Sequence, residues 1–249
     1  MAGAKDILKA AIRKLANGLG YDIVAFDAGN ARWRLAQLLA RHRITVLFDV
    51  GANLGHFAWD MRESGFAGRI DSFEPLKDAF AHLQGAVASD ASWQAVNIGL
   101  GDRDEQRAIN VAANSQSSSF LPMLDAHKDA APESLYEKEE LTSIRRLDGI
   151  FGNYCTQADR VFLKIDTQGF EKYVLEGARA VLDSVPLVQL ECSLVPLYDG
   201  AETIEDMIGY MRGLGYDPVD ALPTFYHRDT DHLMQADIVF VRRGALKPA

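Results

Sequence analysis

The sequence predicts an α/β domain built on a mostly parallel sheet with helices on both faces. Short, nearly continuous apolar runs recur along the chain, and such runs are typical of strands that are buried on both faces of a parallel sheet. Stretches with the apolar spacing of amphipathic helices lie between them, and this alternation indicates successive strand–helix–strand units. The 249 residues of the chain are enough for one such domain with short additions.

The first predicted element is an amphipathic helix over residues 4–19, whose apolar face consists of Ile7, Leu8, Ala11, Ile12 and Leu15. Basic residues lie largely on its other sides: Lys5, Lys9, Arg13 and Lys14. We expect this helix to pack on its own domain or on a second subunit, as in a homodimer; peripheral contact with a membrane surface is the alternative. A second helix is predicted over residues 31–42, so residues 1–43 form an N-terminal helical extension.

The sheet is predicted to begin with a strand over residues 44–50. Further apolar runs predict strands over residues 69–73, 93–98, 161–165 and 187–190. Helical spacing predicts the intervening helices over residues 54–64, 76–88 and 170–183.

The second half of the chain contains a less regular region. Residues 106–113 resemble an additional strand, whereas residues 114–143 begin with a serine cluster and continue with polar and charged residues. We expect a long loop or small helical insertion there, on the substrate side of the domain. A helix over residues 203–214 and a last strand over residues 237–242 follow, and residues 244–249 form a tail.

The composition narrows the range of partners and cellular locations that we expect for the protein. A net charge of −9 and an isoelectric point near 5.1 argue against a nucleic-acid partner, which usually binds a basic surface. Cys155 and Cys192 are too few for a disulfide framework and are expected to be reduced thiols. No apolar run approaches the ~20 residues that span a bilayer. Charged residues such as Asp6 and Lys9 interrupt any signal-peptide core, so we expect a cytoplasmic protein.

The sharpest motif is FDVGANLGHF at residues 48–57, which follows a predicted strand and opens a helix. Gly51 permits a tight turn and close approach by a ligand. Asn53 tolerates a left-handed backbone, and Gly55 lets the start of the helix pack near the strand. The N–H groups of such a helix start favour a carboxylate or another negative group. The three-glycine dinucleotide fingerprint does not fit, because its second and third glycines are missing.

Glu74 ends the second predicted strand and precedes Pro75. A carboxylate there, about 20 residues past the glycine turn, can accept both ribose hydroxyls of a nucleoside. Enzymes that use NAD share this acid, so Glu74 indicates adenosine rather than one particular cofactor.

Several further blocks follow in a fixed order: VLFDVGANLG at 46–55, FEP at 73–75, NIGLGD at 97–102, IRRLDGI at 144–150, LKIDTQGFE at 163–171, LEGA at 175–178 and DIVFVR at 237–242. Taken together they are specific, and any one alone is not. In these blocks the sequence resembles the FkbM family of S-adenosylmethionine-dependent methyltransferases. The resemblance implies a Rossmann-like class I methyltransferase fold over residues 44–243, with about seven strands and an antiparallel last strand. It also implies methyl transfer to oxygen, with hydroxyls of sugars or polyketides as acceptors.

The resemblance also implies a cofactor site for S-adenosylmethionine. The residues that would hold its methionine part are Asp49, Gly51, Ala52, Asn53 and Gly55. Glu74 would bind the ribose, and Asn97 with its neighbours would lie against the adenine.

Two acids follow neighbouring predicted strands, where ligands of open α/β sheets bind. An alcohol must lose its proton when it is methylated, so a positioned base assists the reaction. We predict Asp166 as this base and Glu191 as the second candidate, and Lys164 either orients a carboxylate or simply pairs with it. The family often has KIDVEG where this chain has KIDTQG, and Gln168 cannot act as a base. Either that glutamate is not catalytic in the family, or its work shifts to Asp166 here.

Other chemistries have weaker support. Carboxylate oxygens suit Mg²⁺, but the sequence has no HxxE or DxD cluster, so no metal site is predicted. His56 and His227 are further candidate bases. One alternative is an NAD-dependent oxidoreductase, but the sequence does not contain the catalytic residues of such an enzyme. The other is a nucleotide-binding module without activity, and the presence of the acids in the site argues against it. The sequence therefore predicts an S-adenosylmethionine-dependent O-methyltransferase acting on a small-molecule or glycan acceptor, namely a hydroxyl of a sugar, a glycan or a glycosylated natural product.

Overall fold

A computed structural model describes residues 4–21, 23, 25 and 27–245, without the side chains of residues 4–7. The helices are α1 (Ala4–Gly18), α2 (Ala31–Arg41), α3 (His56–Glu63), α4 (Lys77–Val87), α5 (Asp125–Ala130), α6 (Leu147–Tyr154), α7 (Glu171–Glu176) and α8 (Ile204–Gly213). The strands are β1 (Val46–Val50), β2 (Arg69–Phe73), β3 (Trp93–Val96), β4 (Gly99–Leu100), β5 (Glu105–Ala112), β6 (Tyr136–Arg145), β7 (Val161–Ile165), β8 (Leu187–Ser193), β9 (Tyr216–Tyr226) and β10 (Leu233–Arg242). Of the predicted tail, residues 246–249 lie outside the described residues.

The main sheet has seven strands in the order β3-β2-β1-β7-β8-β10-β9. The pairs from β3 to β8 are parallel, and β10 runs antiparallel to both β8 and β9. This confirms the predicted Rossmann-like fold with a mostly parallel sheet and an antiparallel last strand. The strand order switches between β1 and β7: the strands that follow β1 lie on one side of it, and β7 and the later strands lie on the other. The loops after these two parallel central strands therefore lie side by side at one edge of the sheet.

The centre of the sheet is buried on both faces, which explains the unbroken apolar runs. All five residues of β1 and all five of β7 are buried. Phe48 and Ile165 face one core, whereas Leu47 and Phe162 face the other. Helices α6, α7 and α8 pack on the first core, and α2 and α3 pack on the second, through residues such as Leu35 and Met61.

A second, three-stranded sheet has the order β4-β6-β5. The prediction of a loop or helical insertion over residues 114–143 is therefore wrong from Tyr136 onward, where β6 begins. Most residues in the first half of β6 are exposed and charged, so the strand lacks the apolar alternation by which strands are found. Its backbone pairs with β5 over Glu105–Ala112, and this long-range pairing defines the strand.

Two other elements differ from the prediction. Strand β9 was not predicted, because it is an edge strand that contains Pro218 and Pro223 and exposes most of its residues. Helix α7 ends at Glu176 instead of continuing to residue 183. A Cβ atom on Gly177 would lie 1.9 Å from the carbonyl oxygen of Gly101, so the chain passes that backbone where only glycine fits.

The two N-terminal helices behave differently. Leu35 and Leu39 of α2 are buried in the same core as Leu47, so α2 is integrated into the domain, and a boundary at residue 43 stays a prediction. The side chains of Leu8 and Leu15 on α1 are 61% and 70% exposed. The expectation that α1 packs on its own domain is therefore wrong, as far as the side chains that the structure describes are concerned. None of the helices in the described ranges combines the length and the apolar character required to cross a bilayer.

Candidate active site

A cavity of about 310 Å³ lies at the edge of the main sheet where the parallel strands end. Residues 51–53 after β1, Glu74 after β2 and residues 166–168 after β7 line it. Glu191 of β8 and Asp237 of β10 complete its wall on the far side. The topology therefore brings together segments that are far apart in sequence, and most of the predicted site residues are among them.

The glycine turn is shaped by close backbone packing. Gly51 and Gly55 have φ angles of 74° and 85°. A Cβ atom on Gly51 would lie 1.8 Å from the carbonyl oxygen of Asp166, and one on Gly55 would lie 2.8 Å from a methyl carbon of Leu83. Asn53 has a φ of 47°, a conformation that asparagine adopts more readily than most residues. The turn thus packs closely against Asp166 and Leu83, and its residues Gly51 and Asn53 form part of one wall of the cavity.

Glu74 is 4% exposed and lines the cavity. One of its carboxylate oxygens accepts a hydrogen bond from the backbone N–H of Asn53, and the other accepts one from the N–H of Leu76, both at 2.8 Å. Burial raises the pKa of Glu74 to about 7, although these two hydrogen bonds act in the opposite direction. An ionised carboxylate has about four acceptor positions, so two remain for hydroxyl groups of a ligand.

A buried ammonium group lies between two carboxylates beneath the cavity. The Nζ atom of Lys164 is 3.1 Å from Oδ1 of Asp49 and 3.4 Å from Oδ2 of Asp166. Burial opposes the charge of Lys164, but the two carboxylates outweigh it and raise the pKa of the amine. The Asp49 side chain is fully buried, whereas that of Asp166 is 33% exposed. Of this pair, Asp166 is therefore the acid that a ligand can reach.

Gln168 connects the acids at this end of the cavity. Its Nε2 group donates to Oδ1 of Asp166 at 2.9 Å and also to Glu191, and its Oε1 atom accepts from the hydroxyl of Tyr198 at 2.8 Å. Gln235 donates a further hydrogen bond to Glu191 at 2.7 Å. Burial and the neighbouring Asp166 raise the pKa of Glu191 well above its usual value. The amide thus holds two carboxylates in place without adding a negative charge to them.

A family model, the methyltransferase FkbM domain, matches residues 49–218 of the chain. The chain belongs to the FkbM methyltransferase family. Its cofactor is S-adenosylmethionine, and the family assignment replaces the alternative of an NAD-dependent oxidoreductase. No curated protein sequence is significantly similar to the chain.

Solved structures share the fold. A methyltransferase FkbM from Methylobacillus flagellatus KT superimposes with a TM-score of 0.50 at 15% identity, over 78% of this chain and 43% of that one. This FkbM chain thus spans less than half the length of that relative. A putative RNA methyltransferase from Pyrococcus horikoshii gives a TM-score of 0.46 at 14% identity, covering 87% and 86% of the two chains. Aeropyrum pernix fibrillarin with natively bound S-adenosyl-L-methionine gives 0.44 at 13%, covering 94% and 74%.

The residues present in this FkbM methyltransferase fit the cofactor. Glu74 offers two acceptor positions inside the cavity, as two ribose hydroxyls require. Apolar and glycine residues continue the cavity beyond Glu74, and these could contact a flat base: Leu76, Gly99, Leu100, Ile109 and Phe120.

Three predicted cofactor residues lie outside the lining of the cavity, namely Asp49, Gly55 and Asn97. Asp49 is buried beneath it and pairs with Lys164. The side-chain amide of Asn97 donates to the carbonyl oxygens of Glu74 at 2.8 Å and Pro75 at 3.0 Å. Asn97 therefore holds the backbone that carries Glu74. Its contact with the cofactor stays a prediction.

The candidate histidines are separated by the fold. His56 lines the cavity, whereas His227 follows the end of β9 and forms a local turn with His232 outside the cavity lining. Over the described ranges, no set of three or more histidine, cysteine or acidic residues is arranged to hold a metal ion.

Sequence analysis missed Asp237 as a site residue. This carboxylate lines the cavity from β10, directly opposite Glu191 in the antiparallel register, and accepts a hydrogen bond from Gln189 at 2.9 Å. Burial, together with Asp166, raises the pKa of Asp237 to about 7. The only signal in the sequence was an acid at the start of an apolar strand. Its place beside Glu191 follows from the insertion of β10 between β8 and β9.

The segment before α5 also reaches the site. Ser115, Ser118 and Phe120 line the cavity. The amide of Asn53 donates to the hydroxyl of Ser115 at 3.1 Å, and the hydroxyl of Ser119 donates to the carbonyl oxygen of Gln168 at 2.7 Å. These bonds attach the segment to both ends of the cavity.

Proposed function

We propose that the protein transfers the methyl group of S-adenosylmethionine to a hydroxyl oxygen of a sugar, a glycan or a glycosylated natural product. The observation that carries this proposal is the Asp166 carboxylate. It lines the cofactor cavity, is one-third exposed, and is fixed by Lys164 on one oxygen and by Gln168 on the other. A small-molecule or glycan acceptor also suits a chain with a net charge of −9.

At the cofactor end, we assign the glycine turn to the methionine part and Glu74 to the ribose. Supporting this, Gly51 and Asn53 line the cavity, and Glu74 keeps two acceptor positions for hydroxyl donors. The start of α3, which follows Gly55, offers N–H groups and a positive dipole end to a carboxylate. Asn97 supports this site indirectly through the backbone of Glu74.

At the acceptor end, we assign Asp166 as the base. When bound, S-adenosylmethionine would supply a methyl group that is attached to a positively charged sulfur. An acceptor oxygen bonds to this methyl group in line as the methyl–sulfur bond breaks, and the sulfur leaves in S-adenosylhomocysteine. The hydroxyl proton passes to Asp166 as the oxygen–methyl bond forms, because an alcohol is too weak an acid to lose it beforehand. Lys164 orients Asp166 through one carboxylate oxygen, and Gln168 holds the other.

Glu191 is better suited to hold a proton than to remove one. Burial and the charge of Asp166 raise its pKa, and its Oε2 atom already accepts from Gln168 and Gln235. We therefore assign it a positioning role beside the acceptor, and it remains the second candidate for the base.

The segment over residues 114–124 is proposed as the cover of the acceptor side. Its serines bridge Asn53 and the backbone of Gln168, so it encloses the cavity between the cofactor turn and the acids. Exclusion of water by such a cover would keep the reacting groups in a low-dielectric environment.

The proposal is tested with purified protein and S-adenosylmethionine labelled in its methyl group. We expect label in sugars or glycosides, and mass spectrometry with NMR should place the methyl on oxygen. Incubation with S-adenosylhomocysteine should inhibit the transfer. Label found only on nitrogen or carbon acceptors would contradict the proposal while leaving the family assignment intact.

A further inference from the structure

A second cavity of about 170 Å³ lies beside the cofactor cavity, between helices α2 and α3 and the strands β8, β10 and β9. The two cavities share Phe57 and Asp237 as a common wall. The exposed residues Arg32 and Leu222 stand at its outer end, and Leu222 is 42% exposed. The second cavity is therefore a short cleft that lies between the protein surface and the acidic end of the cofactor cavity.

The walls of this cleft are mostly apolar. Apolar residues from four elements line it: Leu35 of α2, Met61 of α3, Leu222 of β9 and Val239 of β10. Such a lining favours hydrocarbon over a hydroxylated or charged ligand, because burial of apolar surface is the main gain available there.

The polar side chains around the cleft already have partners. Arg32 pairs with Asp60 at 2.8 Å, and Arg34 forms two hydrogen bonds to Asp220 at 2.7 and 3.1 Å. These pairs neutralise the charges at the rim, so the cleft presents little that would recognise an ion.

The cleft lies at the acceptor end of the cofactor cavity and not at the end where Glu74 would hold the cofactor. Glu74 follows β2, whereas Asp166 follows β7, two strands along the sheet and about 10 Å away at the usual strand spacing. Asp237 lies two strands further in the same direction, and the cleft begins there. When the hydroxyl of an acceptor lies between Asp166 and Asp237, the group next to that hydroxyl therefore lies toward the cleft.

From this geometry we infer that the cleft is an apolar subsite for the acceptor, and that the acceptor carries a hydrocarbon substituent next to the hydroxyl that is methylated. The inference rests on the proposed function and narrows it from hydroxylated sugars in general to alkylated or otherwise partly apolar ones. The cleft is smaller than the roughly 300 Å³ of a site for a drug-sized ligand, so it holds a substituent and not a whole second molecule.

The test compares two probes, methyl and butyl β-glucopyranoside, with the full chain saturated with S-adenosylhomocysteine. Each buried methylene tightens binding by about threefold to fourfold, so calorimetry should show the butyl compound binding at least tenfold more tightly. In Leu222→Ser this preference should shrink severalfold, because a polar group replaces part of the apolar wall. Val219→Ser is the matched control, since Val219 lies on the same strand, is 50% exposed and lines neither cavity.

The outcomes separate this inference from the proposed function. Equal affinity for both probes, no detectable binding of either, or the same loss of preference in Leu222→Ser and Val219→Ser would overturn the inference. A preference for the butyl compound that Leu222→Ser removes would support it even if neither compound is methylated. In that case the failure would lie with the proposed reaction. Unchanged affinity of all three proteins for S-adenosylhomocysteine shows that the variants are folded.

Discussion

At the scale of single residues, the site depends on carboxylates whose surroundings differ. Glu74 is a buried acid and Asp237 a half-buried one, both with raised pKa values, whereas Asp166 lies beside an ammonium group and is partly exposed. The same functional group can therefore bind hydroxyls, hold a proton or accept one, according to what surrounds it.

Glu74 leads to a prediction about cofactor binding and pH. Ribose hydroxyls donate to an ionised carboxylate, and the pKa of Glu74 without ligand is about 7. Affinity for S-adenosylhomocysteine should therefore rise from pH 6 to pH 8 and then level off, as measured by calorimetry. Glu74→Gln should remove this dependence.

Loss of the whole side chain should have a larger effect. Glu74→Ala leaves the ribose hydroxyls of the bound ligand without their acceptor, so binding should weaken by about 1–3 kcal/mol. Glu140→Ala is the control, because Glu140 also accepts from a backbone N–H at the start of α4 but lies outside the lining of the cavity. Unchanged affinity in Glu74→Ala would reject the ribose assignment.

Asp166 leads to a prediction about the rate. Asp166→Asn keeps the shape of the side chain and removes its basicity, so kcat should fall by about 100-fold or more with little change in cofactor affinity. Asp125→Asn is the matched control, since Asp125 pairs with a lysine on the surface, away from the cavity. Near-normal turnover in Asp166→Asn would make Glu191 the base. Loss of activity with EDTA and recovery with Mg²⁺ would instead make the acids metal ligands.

At the scale of elements, α1 and α2 differ in what they contact, although both precede the family match. The side chains of α2 enter the core, and Arg34 ties α2 to β9. The apolar side chains of Leu8, Ile12 and Leu15 on α1 remain exposed. A second subunit and a membrane surface are the two remaining candidates for covering that face, since an exposed apolar stripe of this kind indicates an interaction site.

Removal of residues 1–20 should therefore cost the domain little stability. We expect the melting temperature to fall by less than about 2 °C. In a chain of this size, such a fall corresponds to a loss of well under 1 kcal/mol in the free energy of unfolding. Light scattering should show whether the truncation converts a dimer to a monomer. Sedimentation with phosphatidylserine vesicles should show whether the truncation removes binding to a membrane. A large fall in melting temperature would show that α1 packs on the domain after all.

At the scale of the whole molecule, several buried acids affect stability together. Burial raises the pKa values of Glu74, Glu171 and Asp237 to about 7. The folded state then binds more protons than the unfolded state between the ordinary carboxyl pKa and 7, so stability falls as pH rises through this range. His127 acts in the opposite direction, because burial lowers its pKa to about 4, but its contribution is complete by about pH 6.5.

The melting temperature without cofactor should consequently fall by a few degrees between pH 6.5 and pH 8. Asp237→Asn should reduce the slope, because one buried acid no longer titrates, whereas a change at the exposed Asp129 should leave it as it is. A melting temperature that rises over this interval would contradict the predicted effect of the buried acids.

The sequence by itself determined the central sheet and the cofactor half of the candidate site. Unbroken apolar runs marked β1 and β7, because strands buried on both faces need apolar residues at every position. The glycine turn and Glu74 were visible because each lies within a few residues of a strand end, where local spacing places it.

Beyond Asp166, Glu191 and Lys164, only the tertiary structure decided the acceptor half. Strand β6 exposes half of its residues and β9 exposes most of them, and neither shows a clear apolar period in the sequence, so their backbone pairing defines them. The bridge from Gln168 to Asp166 and Glu191, the position of Asp237 and the second cavity all depend on which strands become neighbours. That choice is made by packing and register between segments far apart in the chain, and local spacing in the sequence does not record it.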